Sequence, residues 1–277
     1  MTDQTTMTWT YLASRMQREP VSNLPPPCIV ALLGAREGVG VTTIAINLAV
    51  ALTELGVRVV AVDADLQHAQ LASCCGIRPQ TGVADILAAR RDVHEVLIAG
   101  PAGILLLPGF PTHNTPTWPD DRGPRRLWRQ LRTLGRHAEV VLLDMGPSPG
   151  PRIPEIWQTV DVGILITTPD NRSALATYEA IKEEAEGAPH LQLVVNQADD
   201  ETQAHDVCRR LANACQRFLH RDLGLLGVIP SDTNLLADMA TTQPLILEYP
   251  DSPAAVAIGQ IAESLKPRLE PRRVDWT

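Results

Sequence analysis

Short apolar runs alternate along most of the chain with longer stretches whose apolar residues recur every three to four positions. The runs are Ile29–Leu33, Val59–Val62, Ile104–Leu107, Val140–Leu143, Val162–Ile166, Leu193–Val195 and Leu225–Ile229. Rich in Val, Ile and Leu and flanked by turn residues, they predict strands buried on both faces. Between them, Thr42–Leu55 carries Ile44, Leu48, Leu52 and Leu55 at helical spacing, and Gly56 supplies a C-terminal stop. Arg125–Leu134, Ser173–Glu186, Ala204–Leu219 and Ala254–Leu265 read as helices in the same way. This alternation predicts an α/β fold, a doubly wound and mostly parallel sheet of about seven strands with helices on both faces. In such folds ligands bind at the C-terminal ends of the strands.

The two ends of the chain depart from this pattern. Residues 1–19 are polar, with a helical possibility over Trp9–Gln17, and Glu19–Pro27 contains four prolines. Residues 1–27 therefore read as an arm with a stiff linker, residues 28–266 as one domain and residues 267–277 as a tail. Pro108–Gly123, rich in proline, threonine and aspartate, reads as a long surface loop. The first residues show no basic stretch leading into an apolar one, and no apolar run approaches the roughly 18 residues of a membrane span. A cytoplasmic protein is expected.

Composition narrows the partners more than the fold. With 44% hydrophobic, 20% charged and only 4% aromatic residues, the chain suits an aliphatic core between sheet and helices. A formal net charge of -8 argues against nucleic acid as a bulk partner, because phosphate-backbone binding relies on accumulated Lys and Arg. Of the five cysteines, Cys74 and Cys75 are adjacent and Cys208 and Cys215 share one predicted helix. That spacing matches neither a CxxC pair nor a disulfide framework, so reduced structural thiols are expected. Arg125, Arg126, Arg129, Arg132 and Arg136 line one predicted helix and read as a solvated basic face.

The chemistry-bearing stretch is Leu33–Asn47, LGAREGVGVTTIAIN. A predicted strand runs into two glycines, Gly38 and Gly40, and then through Thr42 and Thr43 into a predicted helix. That order suits a phosphate-binding loop, in which backbone N–H groups and the positive end of the helix face an anion. Where such loops place a lysine before the Ser/Thr, this chain has Val41. Asp63 and Asp65 follow the second predicted strand, and Asp144 follows the fourth. Strand-end carboxylates beside a phosphate loop suit a hydrated divalent cation and the water that attacks phosphate.

These residues resemble the MinD/ParA family of deviant phosphate-loop ATPases, whose loop reads approximately GKGGVGKTT. The match is Ala35-Arg36-Glu37-Gly38-Val39-Gly40-Val41-Thr42-Thr43. It continues in Asp63-Ala64-Asp65-Leu66, Gly82-Val83-Ala84-Asp85-Ile86-Leu87, Val194-Val195-Asn196, Ile229-Pro230-Ser231-Asp232 and Tyr249-Pro250-Asp251-Ser252-Pro253-Ala254-Ala255. Within the family the chain resembles the FlhG-like flagellar-number regulators in particular. The resemblance implies a P-loop NTPase fold, ATP and Mg2+ as cofactors and a face-to-face homodimer. It assigns Gly38, Val39, Gly40, Val41, Thr42 and Thr43 to the nucleotide phosphates and Asn196 to adenine. Thr42, Asp63 and Asp144 would serve Mg2+, Asp65 the attacking water, and Arg36 the partner's phosphates, in the manner of an arginine finger.

The departures from the motif bear on activity. Val41 cannot replace an ammonium group, Glu37 adds a carboxylate near the cradle, and Ala35 replaces a glycine. ATP binding is expected to weaken and hydrolysis to be weakened or lost. Arg36 and Glu37 are also open to reading as an ordinary solvated ion pair. The resulting expectation is a regulatory or positioning protein acting on partners in a polar or flagellar-type machine, with at most peripheral membrane contact. A nucleotide-independent scaffold is the alternative. A bacterial tyrosine kinase of the same superfamily is disfavoured, since no tyrosine follows Tyr249. Smaller signals are Asp3-Gln4, which resembles the start of an FlhG-like GTPase-activating segment, His68 as an exposed loop residue, and Arg272, Arg273 and Trp276 in the tail.

Overall fold

The computed structural model describes residues 25–65, 68–109, 122–147, 159–183, 190–232 and 242–269. Its strands are β1 (Cys28–Gly34), β2 (Val59–Asp63), β3 (Ile98–Ala99), β4 (Leu105–Leu107), β5 (Val140–Pro147), β6 (Val162–Thr167), β7 (Leu191–Ala198) and β8 (Leu223–Pro230). They form one eight-stranded sheet in the order β3-β4-β2-β5-β1-β6-β7-β8. Every pairing is parallel except β3 with β4. The expectation of about seven strands misses only β3, whose two residues are too few to carry a period.

The helices are α1 (Val41–Glu54), α2 (Val83–Leu87), α3 (Val93–Val96), α4 (Arg122–Leu131), α5 (Asn171–Glu183), α6 (Glu201–Ala214), α7 (Leu245–Glu248) and α8 (Pro253–Leu265). A 3-10 extension, Arg132–Arg136, continues α4, and a π-helical turn, Cys215–Leu219, continues α6. The longer ones fall where the 3.6-residue spacing places them. The short α2, α3 and α7 do not announce themselves by period. Local caps hold α3: the Asp92 carboxylate accepts from the His94 N–H, while Glu95 accepts from the Asp92 N–H. Most of the expected loop Pro108–Gly123 lies outside the described residues, as do most of the arm, including Asp3-Gln4, and most of the tail, including Arg272, Arg273 and Trp276.

Alternation along the strands sorts the core into two layers. Ile29, Ala31 and Leu33 of β1 pack with α4, α5 and α6, whereas Cys28, Val30 and Leu32 pack with α1 and α8. Both faces are dry, which explains why the strands are continuously apolar. Helix α1 contributes ten buried residues to its layer. One of them is polar: Asn47 donates to Thr43 O at 2.7 Å and accepts the Ile246 N–H at 2.9 Å, tying α1 to α7. All five cysteines are free, and Cys28, Cys208 and Cys215 are buried.

The predicted basic face needs one correction. Arg132 is not solvated. Its Nη1 donates to Asp161 Oδ2 at 3.2 Å and its Nη2 to the Thr159 carbonyl, with side-chain exposures of 10% for Arg132 and 3% for Asp161. Asp161 Oδ2 also accepts the Ile29 N–H at 2.7 Å, so the pair fastens the entry to β6 onto β1. Asp161→Ala strands a buried guanidinium and is expected to cost about 3–5 kcal/mol in urea unfolding. A loss below about 1 kcal/mol would show that the pair is solvated after all.

At the lower end of β5, His94 Nδ1 and His137 Nε2 lie 3.0 Å apart, with Arg136 Nε 2.9 Å from His137. Burial, then His94, Arg136 and Arg58, lower the His137 pKa from its ordinary 6.5 to about 4. Asp92, near His94, and Glu139, bound to Arg58, are the acids facing the cluster. On acidification the unfolded chain takes up this proton first, so stability present above pH 6.5 is lost as the pH falls toward 4. In His137→Gln the decline in Tm between pH 6.5 and 4 should be shallower than in the parent. An equal decline would remove His137 from the explanation.

Candidate functional site

The upper edge of the sheet collects the chemistry. Asp63 at the end of β2 and Asp144 in β5 are direct neighbours in register, and Leu32 of β1 is level with Asp144. The glycine loop leaves β1 two residues later, at Gly34, roughly 7 Å further along the strand direction. Side-chain alternation puts Asp63 in line with Val59 and Ala61, and Asp144 with Val140 and Leu142, all on the α1 layer. Both carboxylates therefore stand beneath the start of α1.

The loop is shaped by its two glycines and by the end of β7. Gly38 and Gly40 have φ values of 80° and 91°, and a Cβ on Gly40 would lie 2.5 Å from Asn196 Nδ2. Gln197 Nε2 donates to Gly38 O at 2.9 Å, and Asn196 Nδ2 donates to Val39 O at 2.8 Å. In a trans peptide the N–H points opposite to the C=O, so the N–H groups of Val39 and Gly40 face away from these two amides. Helix α1 follows with no side-chain cap and no acidic residue in its first turn. Its first N–H groups and its positive end remain available to an anion.

Other expected residues fall as follows. Thr42 is half-buried and Thr43 exposed at the start of α1. Val41 is buried, and with Val39 it folds over Gly34, where a Cβ would stand 2.4 Å from Val41 Cγ2. Glu37 is exposed. Arg36 does not pair with it: its Nη1 donates to Ser173 Oγ at 3.1 Å and lies 3.5 Å from Asp170 Oδ1. This corrects the simple Arg36–Glu37 ion pair. Asp65 is buried, its Oδ1 accepting the His68 N–H at 2.9 Å, and the half-exposed His68 ring comes within 3.8 Å of the same carboxylate. Asn196, assigned to adenine by resemblance, spends its amide on the loop. Asp170, Ser173 and Gln197 were missed, because their roles depend on contacts more than a hundred residues apart in sequence.

The electrostatics of the paired carboxylates suit a cation. Asp63 is 1% exposed; its Oδ2 accepts the Leu71 N–H at 3.0 Å, while its Oδ1 is buried without a hydrogen-bond partner. Burial first, and Asp144 second, raise its pKa well above the usual carboxylate range. Among the described residues no three His, Cys, Asp or Glu side chains converge as a ready cation cage. A divalent ion here would therefore draw further ligands from a hydroxyl, water or phosphate. An orphaned carboxylate oxygen below a bare helix N-terminus fits a magnesium–polyphosphate pair, and the position of the missing lysine is filled by apolar packing.

The family model for the cellulose biosynthesis protein BcsQ matches residues 28–264. The chain belongs to the BcsQ family of MinD/ParA-type P-loop ATPases. Relatives of this BcsQ-family protein include the antiactivator FleN of Pseudomonas aeruginosa, 24% identical over 247 residues and matched across 88% of each chain. An uncharacterised ATP-binding protein of Methanocaldococcus jannaschii is 29% identical over 240 residues, covering 85% of this chain and 86% of its own. Among solved structures, the septum site-determining protein MinD of Pyrococcus horikoshii, complexed with Mg-ADP, superposes with a TM-score of 0.72. It is 24% identical over 86% of this chain and 96% of its own, a likeness of fold.

For this BcsQ-family member the buried carboxylate pair is a cost to the fold. Asp63→Asn keeps an acceptor for Leu71 and removes the buried charge, so it is expected to stabilise the nucleotide-free protein by about 1–3 kcal/mol at neutral pH. Thermal unfolding without magnesium checks this. A lower Tm for the variant would place the negative charge among the stabilising features.

Proposed function

We propose that the chain is a nucleotide-linked dimeric switch with weakened or lost ATP hydrolysis, regulating or positioning a larger protein machine. The observation that supports it most is the combination of an open, backbone-lined phosphate cradle and a buried carboxylate pair with Val41 packed where a lysine would reach the phosphates. Gly38 to Thr43 would hold the phosphates, and Thr42, Asp63 and Asp144 would hold Mg2+. The bound Mg-ATP supplies a phosphoanhydride whose presence or cleavage distinguishes two states of the protein. Asp65 would orient water, and Arg36 would meet phosphate charge across a homodimer. The half-buried Asn196 and the exposed Gln197 would fix the loop's peptide orientation whether or not nucleotide is present.

The family is that of a cellulose biosynthesis protein, and the relative FleN is an antiactivator; both suit a protein that acts on a larger machine. A protein that docks onto such a machine from the cytoplasm fits both. No helix among the described residues is long and apolar enough to cross a membrane, and contact with the bilayer is proposed as peripheral at most. The buried Val41 and the committed Asn196 favour one second reading, a scaffold that keeps the fold and has given up nucleotide.

Calorimetry with Mg-ATP separates these. Val41→Lys restores a charge-assisted phosphate contact, and its aliphatic stem can cover the same apolar floor. The variant should bind about thirtyfold more tightly than the parent, the equivalent of about 2 kcal/mol. Tight binding by the parent with no gain in the variant would refute the weakened-loop reading. No heat from either protein would favour the scaffold.

A further inference from the structure

The two edges of the sheet are finished differently. At one, β4 is covered by β3, an antiparallel strand of two residues. At the other, β8 runs for eight residues, and among the described residues it pairs with β7 alone. Its sequence, LGLLGVIP, holds no charged or polar side chain, and its one proline comes last. A register shift between Leu225 and Gly227 bends the strand without adding either safeguard to its middle. Leu225 and Val228 lean on the α6 layer and Leu226 and Ile229 on the α8 layer, so the side chains are taken up by the two faces. The outward N–H and C=O groups of β8 form a long uncharged template for another strand, of the kind that proteins ordinarily blunt with charge or proline.

Charge is unevenly spread along this edge. Below its start lie Arg217 and Arg221, and Arg268 reaches Gln192, the register partner of Gly224. Above its end lie Asp232 and, at the top of α6, Asp200 and Glu201, where Ala198 O accepts the Ser231 N–H. The lower end is thus basic, with Asp222 the exception, and the upper end acidic. Parallel pairing of two such edges would set like charges together. Antiparallel pairing about a two-fold axis through the middle of β8 sets each basic end against an acidic one, and does so twice. In that register Leu223 stands opposite Pro230 of the second copy, Asp222 opposite its Ser231 and Arg221 opposite its Asp232.

We propose that β8 is a self-association edge, at which a second copy of this chain pairs antiparallel and joins two eight-stranded sheets into one. The second copy fits because its own β8 is equally long, equally free of charge along its length and oppositely charged at the ends it presents. Backbone hydrogen bonds supply the contact, and the flanking charges fix its direction. The glycine loop leaves β1, three strands away across β6 and β7, roughly 14 Å at ordinary sheet spacing. The contact is therefore independent of nucleotide, and it stands apart from the dimeric-switch reading above.

The test uses the full chain without nucleotide, first in sedimentation equilibrium. The parent should dimerise, and less tightly as salt is raised. Arg221→Glu sets like charges together at both ends of the edge and should weaken dimerisation about tenfold, the scale of two part-exposed ion pairs. Cross-linking then reads the register: Asp222→Cys and Ser231→Cys both alter exposed positions. Mixed and treated with diamide, these two variants should form covalent dimers with each other in preference to dimers of either alone, over the background that the parent's own thiols give. The proposal fails if the parent stays monomeric without nucleotide, or if it dimerises and the mixed dimer is not preferred. Unchanged affinity in Arg221→Glu removes the charge complementarity that selects a second copy, and overturns it equally.

Discussion

Strand β1 is paired in parallel on both sides, and that register decides what meets at the sheet's upper edge. Through β5 it brings Asp144 level with Leu32, and through β2 it adds Asp63 beside Asp144. Through β6 it sets the Thr168–Ser173 turn beside Arg36. A slip of one residue would send every alternate side chain to the opposite layer and separate the carboxylates from α1. The dense aliphatic packing on both faces of β1 resists such a slip, so the dry core is what gives the polar edge its geometry.

Against that rigid background the loop carries two opposing adjustments. Its peptide orientation, held from β7 by Asn196 and Gln197, leaves N–H groups open to an anion. Its side chains move the other way: Val39 and Val41 close over Gly34, trading a phosphate-seeking charge for apolar burial. Beneath it, Asp63 keeps an oxygen without a partner in a nearly water-free place. A protein with no use for a cation would gain by losing that carboxylate, since an unsatisfied buried acceptor is a continuing cost. The acid is kept while the loop carries no ammonium group at Val41, and the proposed switch with weakened turnover rests on that contrast.

Much of this was legible in sequence, for physical reasons. Buried parallel strands are continuous apolar runs, and the loop, its glycines and the strand-end aspartates are local in sequence. The features that escaped were non-local or too short. Arg36 finds its partner 137 residues away, and Asn196 and Gln197 reach the loop across 157 and 159 residues. Arg132 sits in a periodic run of arginines and is distinguished from them only by Asp161 in three dimensions. The short α3 was signalled by its Asp92 and Glu95 caps, which a search for hydrophobic period passes over.

The central claim is that the loop edge still receives a magnesium-bound polyphosphate despite Val41. Amide hydrogen exchange of the unmodified chain, with and without saturating Mg-ATPγS, addresses it directly. The expected result is slower exchange at the amides of Val39 to Thr43 and at Leu71, whose N–H rests on Asp63, with the core strands unchanged. Identical exchange at those positions in both conditions would contradict the claim and leave the fold as a scaffold.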